Sequence, residues 1–198
     1  MNIIGSRPLT AVLGETVKKF LIVMLAVLGF MNAAHAQDFS LRFGPNFTLA
    51  PGFNFGIGAE LNGKNLVKFD SSLSLGLYGN LALGFGGGSV SFNGAVGPTI
   101  NFGLNRGLGN VYAGLALGLA GGGGGTSFIF GFVSGVDYLV SPSVNLFSHL
   151  VLVVVPGFFG TISLGADFAL SRAIDAFAEL QVGFTGTFGL GIGLKFGF

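Results

Sequence analysis

Apolar residues alternate with small or polar residues along most of the chain. The pattern is clearest in the last eleven residues, where glycines and Lys195 separate large apolar residues at every second position: Phe188, Leu190, Ile192, Leu194, Phe196 and Phe198. Successive side chains of a β-strand point to opposite faces, so this segment has one fully apolar face and one small or polar face. The same alternation predicts ten strands: 39–47, 53–61, 71–85, 89–102, 110–120, 127–139, 143–155, 160–170, 175–184 and 187–198.

Turn-forming residues separate these predicted strands. They include Pro51-Gly52, Asn62-Gly63, Gly86 to Gly88, Asn105-Arg106-Gly107, Gly121 to Gly125, Ser141-Pro142, Pro156-Gly157, Ser171-Arg172 and Thr185-Gly186. Such short connections favour antiparallel neighbours, and an even number of strands places both chain ends on one side. One connection, residues 62–70, is unusually long; either the first hairpin is wrongly assigned and the barrel has eight or nine strands, or this turn contacts a periplasmic partner.

The amino-acid composition indicates whether water or lipid surrounds the apolar face. The chain is 51% hydrophobic and only 9% charged, with 37 glycines, whereas soluble domains average about 25% charged residues. No stretch after Met31 is long and apolar enough for a transmembrane helix. A membrane β-barrel reconciles these observations, because only half of each strand's residues meet lipid. We therefore predict an all-β, transmembrane, antiparallel up-and-down barrel.

The beginning of the chain has the pattern of an export signal. Lys18 and Lys19 precede an apolar run, 20–31, and the small residues of Ala34-x-Ala36 follow. This order of basic, apolar and small residues is typical of a secretory signal peptide, which is removed during export and is missing from the mature protein. We predict cleavage after Ala36 and export by the general secretory route.

The chain is thus divided into a signal peptide, 1–36, and a barrel, 37–198. Translation from Val17 is an alternative start, because the segment from there has the usual form of a signal. Net charge is +1 and no basic cluster occurs, so nothing in the sequence indicates nucleic-acid binding.

The chain has an export signal at its beginning, and its last strand ends on an aromatic residue. In these two features it resembles the small bacterial outer-membrane barrels typified by the OmpA transmembrane domain and OmpW-like proteins. The resemblance covers essentially the whole mature chain. It implies location in the outer membrane, contact with its lipid and lipopolysaccharide, and recognition of the last strand by the outer-membrane assembly machinery. The residues implied as this assembly signal are Leu194, Phe196 and Phe198.

The face opposite the apolar one carries the charged residues of the predicted strands: Arg42, Glu60, Asp137, Asp167, Asp175, Glu179 and Lys195. Charges in a low-dielectric lumen must be paired. We expect a network near the end that holds both termini, with Lys195 bonding Glu179 across the last hairpin and Arg42 meeting acids of neighbouring strands. The network is either a plug that fixes strand register or a filter for ions and polar solutes.

Other lumen positions are small, which we assign to the outer half of the barrel. They are Gly56, Gly58, Ser74, Gly76, Ala82, Gly84, Ser89, Ser91, Ala95, Gly97, Gly114, Ala116, Gly118, Ala120, Gly189 and Gly191. Barrels of this size normally fill their interior with side chains, so small residues predict a cavity or a narrow channel. The alternative is that glycine permits the bending and coiling that close a small barrel.

Catalytic patterns are sparse. His149 is the only histidine after the signal peptide and has no acid or serine at a motif spacing, so we interpret it as a polar lumen residue. Asp137, Asp167 and Ser148 could approach it only through the fold, and Ser148 has the opposite parity. Metal-ligand spacing is absent, and the glycine runs lack the ending of a phosphate-binding loop, so no cofactor is expected.

We therefore predict a structural outer-membrane barrel or a narrow passive channel for small solutes, and not an enzyme. One alternative is a barrel enzyme that acts on lipid or peptide through His149. Another is a subunit of a larger envelope complex, because the predicted outer connections are short and glycine-rich, unlike the long loops of receptors.

Overall fold

The computed structural model describes residues 39–50, 52–104 and 108–198, so the predicted signal peptide, Pro51 and the predicted turn 105–107 lie outside the described residues. Ten strands follow one another along the chain. Their bounds are β1 Phe39–Ala50, β2 Asn54–Lys68, β3 Leu73–Gly86, β4 Ser89–Leu104, β5 Gly109–Gly122, β6 Gly125–Ser141, β7 Val144–Val155, β8 Phe159–Ala169, β9 Ile174–Gly183 and β10 Phe188–Gly197.

Each strand pairs antiparallel with its neighbours in sequence, and β1 pairs with β10 to close the barrel. The predicted all-β barrel of ten strands is confirmed, and the eight-strand alternative is wrong. We call the end at which β1 begins and β10 ends the terminal end, and the other the opposite end. Within the described residues, no helix is long and apolar enough to span a membrane.

The largest departure from the predicted strands is in β2. Asn62-Gly63 is not a turn, since Gly63 pairs with Leu77 and, after a register shift, Val67 pairs with Leu75. Asn65 in between has a φ of 58°. Such a bulge adds residues to one strand and interrupts the period of two, which is why the alternation does not reveal the second half of β2.

The outer face of the barrel is apolar around its circumference. Many of its large side chains are more than two-fifths exposed, among them Ile100, Leu117, Phe132, Leu164, Val182 and Ile192. The small buried core lies instead inside the lumen, where Tyr78, Tyr112 and Val133 pack together. The polar side chains also lie mainly inside, so the barrel is inverted relative to a soluble β-sandwich.

Candidate functional site in the lumen

Asp167 is the centre of an ion-pair network across the lumen. Its carboxylate is 1% exposed, and both of its oxygens accept hydrogen bonds from Arg42 Nη2 at 3.1 Å. Lys195 Nζ donates to Asp167 Oδ2 at 2.6 Å, and Asn145 Nδ2 donates to the same oxygen at 3.0 Å. These donors satisfy a charge that would otherwise be costly to bury.

Arg42 and Glu60 extend the network to the histidine. Arg42 Nη1 lies 3.5 Å from Glu60 Oε1, and the guanidinium lies over the Phe147 ring, 3.7 Å from its centroid. Glu60 Oε2 is 3.0 Å from His149 Nδ1, while Asn62 Nδ2 donates to Glu60 Oε1 at 3.0 Å. We call Arg42, Glu60, His149, Asp167 and Lys195 the charge layer.

Strand register explains how these residues come together. Arg42 is directly opposite Glu60 on β2 and directly opposite Lys195 on β10. Asp167 is on β8, which is separated from β1 by β9 and β10. The Arg42–Asp167 pair therefore crosses the lumen between strands that are not neighbours.

Two of the predicted acids pair differently from the expectation. Lys195 does not bond Glu179; its second partner is Asp175 at 3.6 Å, because Asp175 is its register partner on β9. Glu179 lies four residues further toward the opposite end, opposite Gly191, and its Oε1 accepts from Gln181 Nε2 at 2.6 Å.

Asp137 lies apart from the charge layer. Both of its oxygens are 2.9 Å from Lys64 Nζ. Lys64 is absent from the predicted network because the prediction ends the strand at residue 61 and interprets Asn62-Gly63 as a turn, whereas β2 continues to Lys68. With this pair, the charged lumen side chains near the terminal end all have partners of opposite sign within the described residues.

Aromatic rings surround His149 and fill the lumen beside the charge layer. The imidazole is in edge contact with Tyr78, with ring centroids 5.3 Å apart, and it lies 6.1 Å from Tyr112. Both tyrosines are buried. Both tyrosines occupy lumen positions of predicted strands, so the alternation alone places them inside the barrel, although they carry no charge.

The charge layer contains an acid and an imidazole but no aligned nucleophile. Glu60 holds His149 Nδ1, and in the described part of the chain no group hydrogen-bonds Nε2. Ser163 is the register partner of His149, yet its hydroxyl makes no hydrogen bond to the ring. Asp137 and Asp167 pair with cations instead. No group of three or more metal-ligating side chains occurs among the described residues.

A cavity of about 760 Å³ extends from the charge layer to the opposite end; we call it the vestibule. Arg42 and Glu60 line its floor, and Gly122, Gly125 and Pro156 line its rim. Several of the predicted small residues line its walls: Gly58, Ala82, Ser91, Ala95, Ala116, Ala120 and Gly191.

Not every predicted small residue lines the vestibule. Ser74 and Gly76 are near the terminal end, where a Cβ on Gly76 would meet Thr99 and Asn101 side chains, so their assignment to the outer half is wrong. β3 begins at the terminal end, which places its first residues there.

Some lumen glycines instead permit close contact between strands. A Cβ on Gly118 would overlap the carbonyl oxygen of Gly94 on β4, whereas a Cβ on Gly58 would lie 3.3 Å from the flexible Asn46 side chain. The two explanations of glycine content therefore hold at different positions: Gly58 leaves volume in the vestibule and Gly118 lets the sheet coil.

The predicted assembly residues lie on the outward face of the β1–β10 pair that closes the barrel. Leu194 is opposite Phe43, and Phe196 is opposite Leu41. Leu194 and Phe198 are exposed. This geometry leaves an aromatic and aliphatic surface available at the terminal end.

No family model matches the chain, and no curated protein matches it. Among solved structures, the KdgM porin in complex with disordered oligogalacturonate is 9% identical over 80% of this chain and 99% of that chain, with a TM-score of 0.49. The outer membrane protein OprG from Pseudomonas aeruginosa is 10% identical over 82% and 96%, with a TM-score of 0.42. A de novo designed transmembrane β-barrel is 12% identical over 82% and 97%, with a TM-score of 0.40. At these values the similarities carry no argument about function.

Proposed function

We propose that this chain is an integral β-barrel of the bacterial outer membrane, whose lumen is a narrow passive route for small solutes that the charge layer holds closed. The proposal includes export with residues 1–36 as a cleaved signal peptide. It also includes contact with outer-membrane lipid and lipopolysaccharide, and recognition of Leu194, Phe196 and Phe198 by the assembly machinery.

The apolar exterior is the observation that carries the membrane part of the proposal. Soluble monomers rarely expose contiguous apolar patches above a few hundred Å², yet here exposed leucine, isoleucine, valine and phenylalanine side chains are found on strands all around the barrel. In a closed barrel all strands are paired, so hydrocarbon can surround it without unsatisfied backbone groups.

The vestibule and the charge layer support the route. Beyond the layer, a pocket of about 20 Å³ is lined by Lys64, Tyr112 and Asp137, and Arg42 lines both this pocket and the vestibule. Arg42 therefore lies between the two spaces, and movement of its side chain is the event that we propose opens the route.

Single-channel recording tests the route. We expect the protein purified from membranes of cells expressing the full chain to give small, infrequent openings in planar bilayers. The charge-balanced double variant Arg42→Ser with Asp167→Ser removes the pair that crosses the lumen, while His149 still faces Glu60 and Asp175 still faces Lys195. We expect a several-fold larger mean conductance for this variant.

The control for conductance is Asp70→Asn, a change in the exposed turn between β2 and β3, which should behave as the unmodified protein. Silence of both the unmodified protein and the double variant, with insertion verified by protease protection, would reject the route. It would favour a structural role or a place in an envelope complex.

A pair of adjacent substitutions tests the membrane part separately. Leu180 is 46% exposed on the outer face, whereas Gln181 lines the vestibule. Leu180→Arg should lower the free energy of unfolding from lipid vesicles by about 2–4 kcal/mol if it lies near the bilayer midplane. Gln181→Arg, with the Glu179 carboxylate beside it, should cost much less. Equal effects of the two changes would contradict a lipid-facing exterior.

A further inference from the structure

The vestibule has an apolar wall above a polar floor. Ile129, Val151, Val153 and Phe177 line the wall, and Ile129, Val153 and Phe177 are buried. Its volume of about 760 Å³ is within the range of small-molecule sites, about 300–1,000 Å³. A ligand with both an apolar and a polar part matches this lining better than a uniformly polar one.

One of the carboxylates that line the vestibule has no counter-charge beside it among the described side chains. Arg42 is engaged by Asp167 and Glu60, and Lys195 by Asp167 and Asp175. Glu179 also lines the vestibule, but across the part of the chain that the structure describes it forms no ion pair. Its single hydrogen bond comes from the neutral amide of Gln181 to Oε1. The carboxylate without a counter-charge faces the open cavity.

A second polar side chain at the vestibule, the His149 imidazole, has a nitrogen without a partner among the described residues. His149 lines the vestibule with its side chain 7% exposed. Its Nδ1 lies 3.0 Å from Glu60 Oε2, so Nε2 is the ring nitrogen left without this contact. No described group donates to this nitrogen. The Glu179 carboxylate therefore calls for a ligand that brings N–H donors and positive charge.

We infer that the vestibule is a binding site for small organic cations, namely primary alkylammonium compounds with a short apolar body. The ammonium group bonds Glu179, and the alkyl part lies along Val151, Val153 and Phe177. This inference rests on the proposed function and deepens it, because the vestibule is the entrance of the proposed route and the cation is then the class of solute.

Saturation-transfer NMR tests the site, using the protein purified in a zwitterionic detergent from cells that express the full chain. The probes are n-butylammonium chloride, n-butanol and sodium butyrate. We expect saturable transfer to n-butylammonium, at least about tenfold weaker binding of n-butanol, which lacks the charge, and none of butyrate. Glu179→Gln keeps shape and hydrogen bonding, and we expect it to weaken n-butylammonium binding by about tenfold.

Asp137→Asn is the matched control, because it also neutralises one lumen carboxylate but lies on the other side of the charge layer, against Lys64. It should leave n-butylammonium binding unchanged. Equal binding of n-butylammonium and n-butanol, or an unchanged affinity in Glu179→Gln with a native circular dichroism spectrum, would overturn the inference. Binding does not require passage, so saturable binding by a protein that never conducts would reject the route but keep the site.

Discussion

The terminal half of the lumen is filled with paired charges and aromatic rings, whereas the opposite half is walled by small and apolar residues and encloses a cavity. In the terminal half, four side-chain hydrogen bonds reach Asp167 from Arg42, Lys195 and Asn145. In the opposite half, the ladder of backbone hydrogen bonds continues around the barrel with little packed against it. The same sheet thus supports a dense interior and an empty one.

The difference shows what each half contributes. A shift of one residue in strand register turns every side chain to the other face, which in the terminal half would separate Arg42 from Glu60 and Lys195 and place charges on the apolar outer face. The charge layer therefore penalises wrong pairings strongly. The vestibule walls contain few charges, so in that half the register depends mainly on the apolar outer face.

Asp167→Asn should have the largest effect on stability. Removal of this charge leaves Arg42 and Lys195 in the lumen with fewer partners, and loss of one member of a buried ion pair costs about 3–5 kcal/mol. We expect a corresponding fall in the free energy of unfolding, measured by urea titration in lipid vesicles with circular dichroism.

Asp175→Asn provides the comparison for that measurement. Asp175 also faces Lys195, but its side chain is 29% exposed and the distance is 3.6 Å. Its loss should cost less than about 1 kcal/mol, as for a partly exposed pair. Similar costs for the two variants would show that burial, and with it the contrast between the halves, does not set the energy of the network.

Two alanine substitutions at glycine sharpen the comparison from the other half. Gly118→Ala places a Cβ on the carbonyl oxygen of Gly94, a backbone atom, so we expect a loss of about 1–3 kcal/mol, as for overpacking. Gly58→Ala meets only the Asn46 side chain and should change the free energy of unfolding by less than about 0.5 kcal/mol. The same urea titration measures both, and a costly Gly58→Ala would mean that the vestibule wall is already tightly packed.

Period-two alternation was enough to predict the ten strands and the faces of most residues, because a closed up-and-down barrel uses one rule throughout. It was not enough for Lys64, because Asn62-Gly63 has the composition of a turn and the predicted strand ends before it, whereas β2 continues through the bulge at Asn65. Nor could it predict the Arg42–Asp167 pair, since contacts across a lumen depend on the number of strands and their stagger. The incorrect Lys195–Glu179 pair arose because parity gives the face of a residue but not its height.

The smallest predicted effect concerns a carboxylate outside the lumen at the terminal end. Asp70, in the turn between β2 and β3, accepts hydrogen bonds from the backbone N–H of Ser72 and of Leu73 and from the Ser72 hydroxyl. These bonds, with that from the Ser72 backbone foremost, hold the pKa of Asp70 below its ordinary value of 3.8.

A lowered folded-state pKa contributes stability that is present above the unfolded-state pKa and disappears as pH falls through the folded-state value. Asp70→Asn should therefore be slightly less stable than the unmodified protein at neutral pH and indistinguishable from it in strong acid, as measured by urea midpoints at both pH values. A difference that persists or grows in acid would show that the charge of this exposed carboxylate is not what stabilises the turn, and would remove the contrast with buried Asp167.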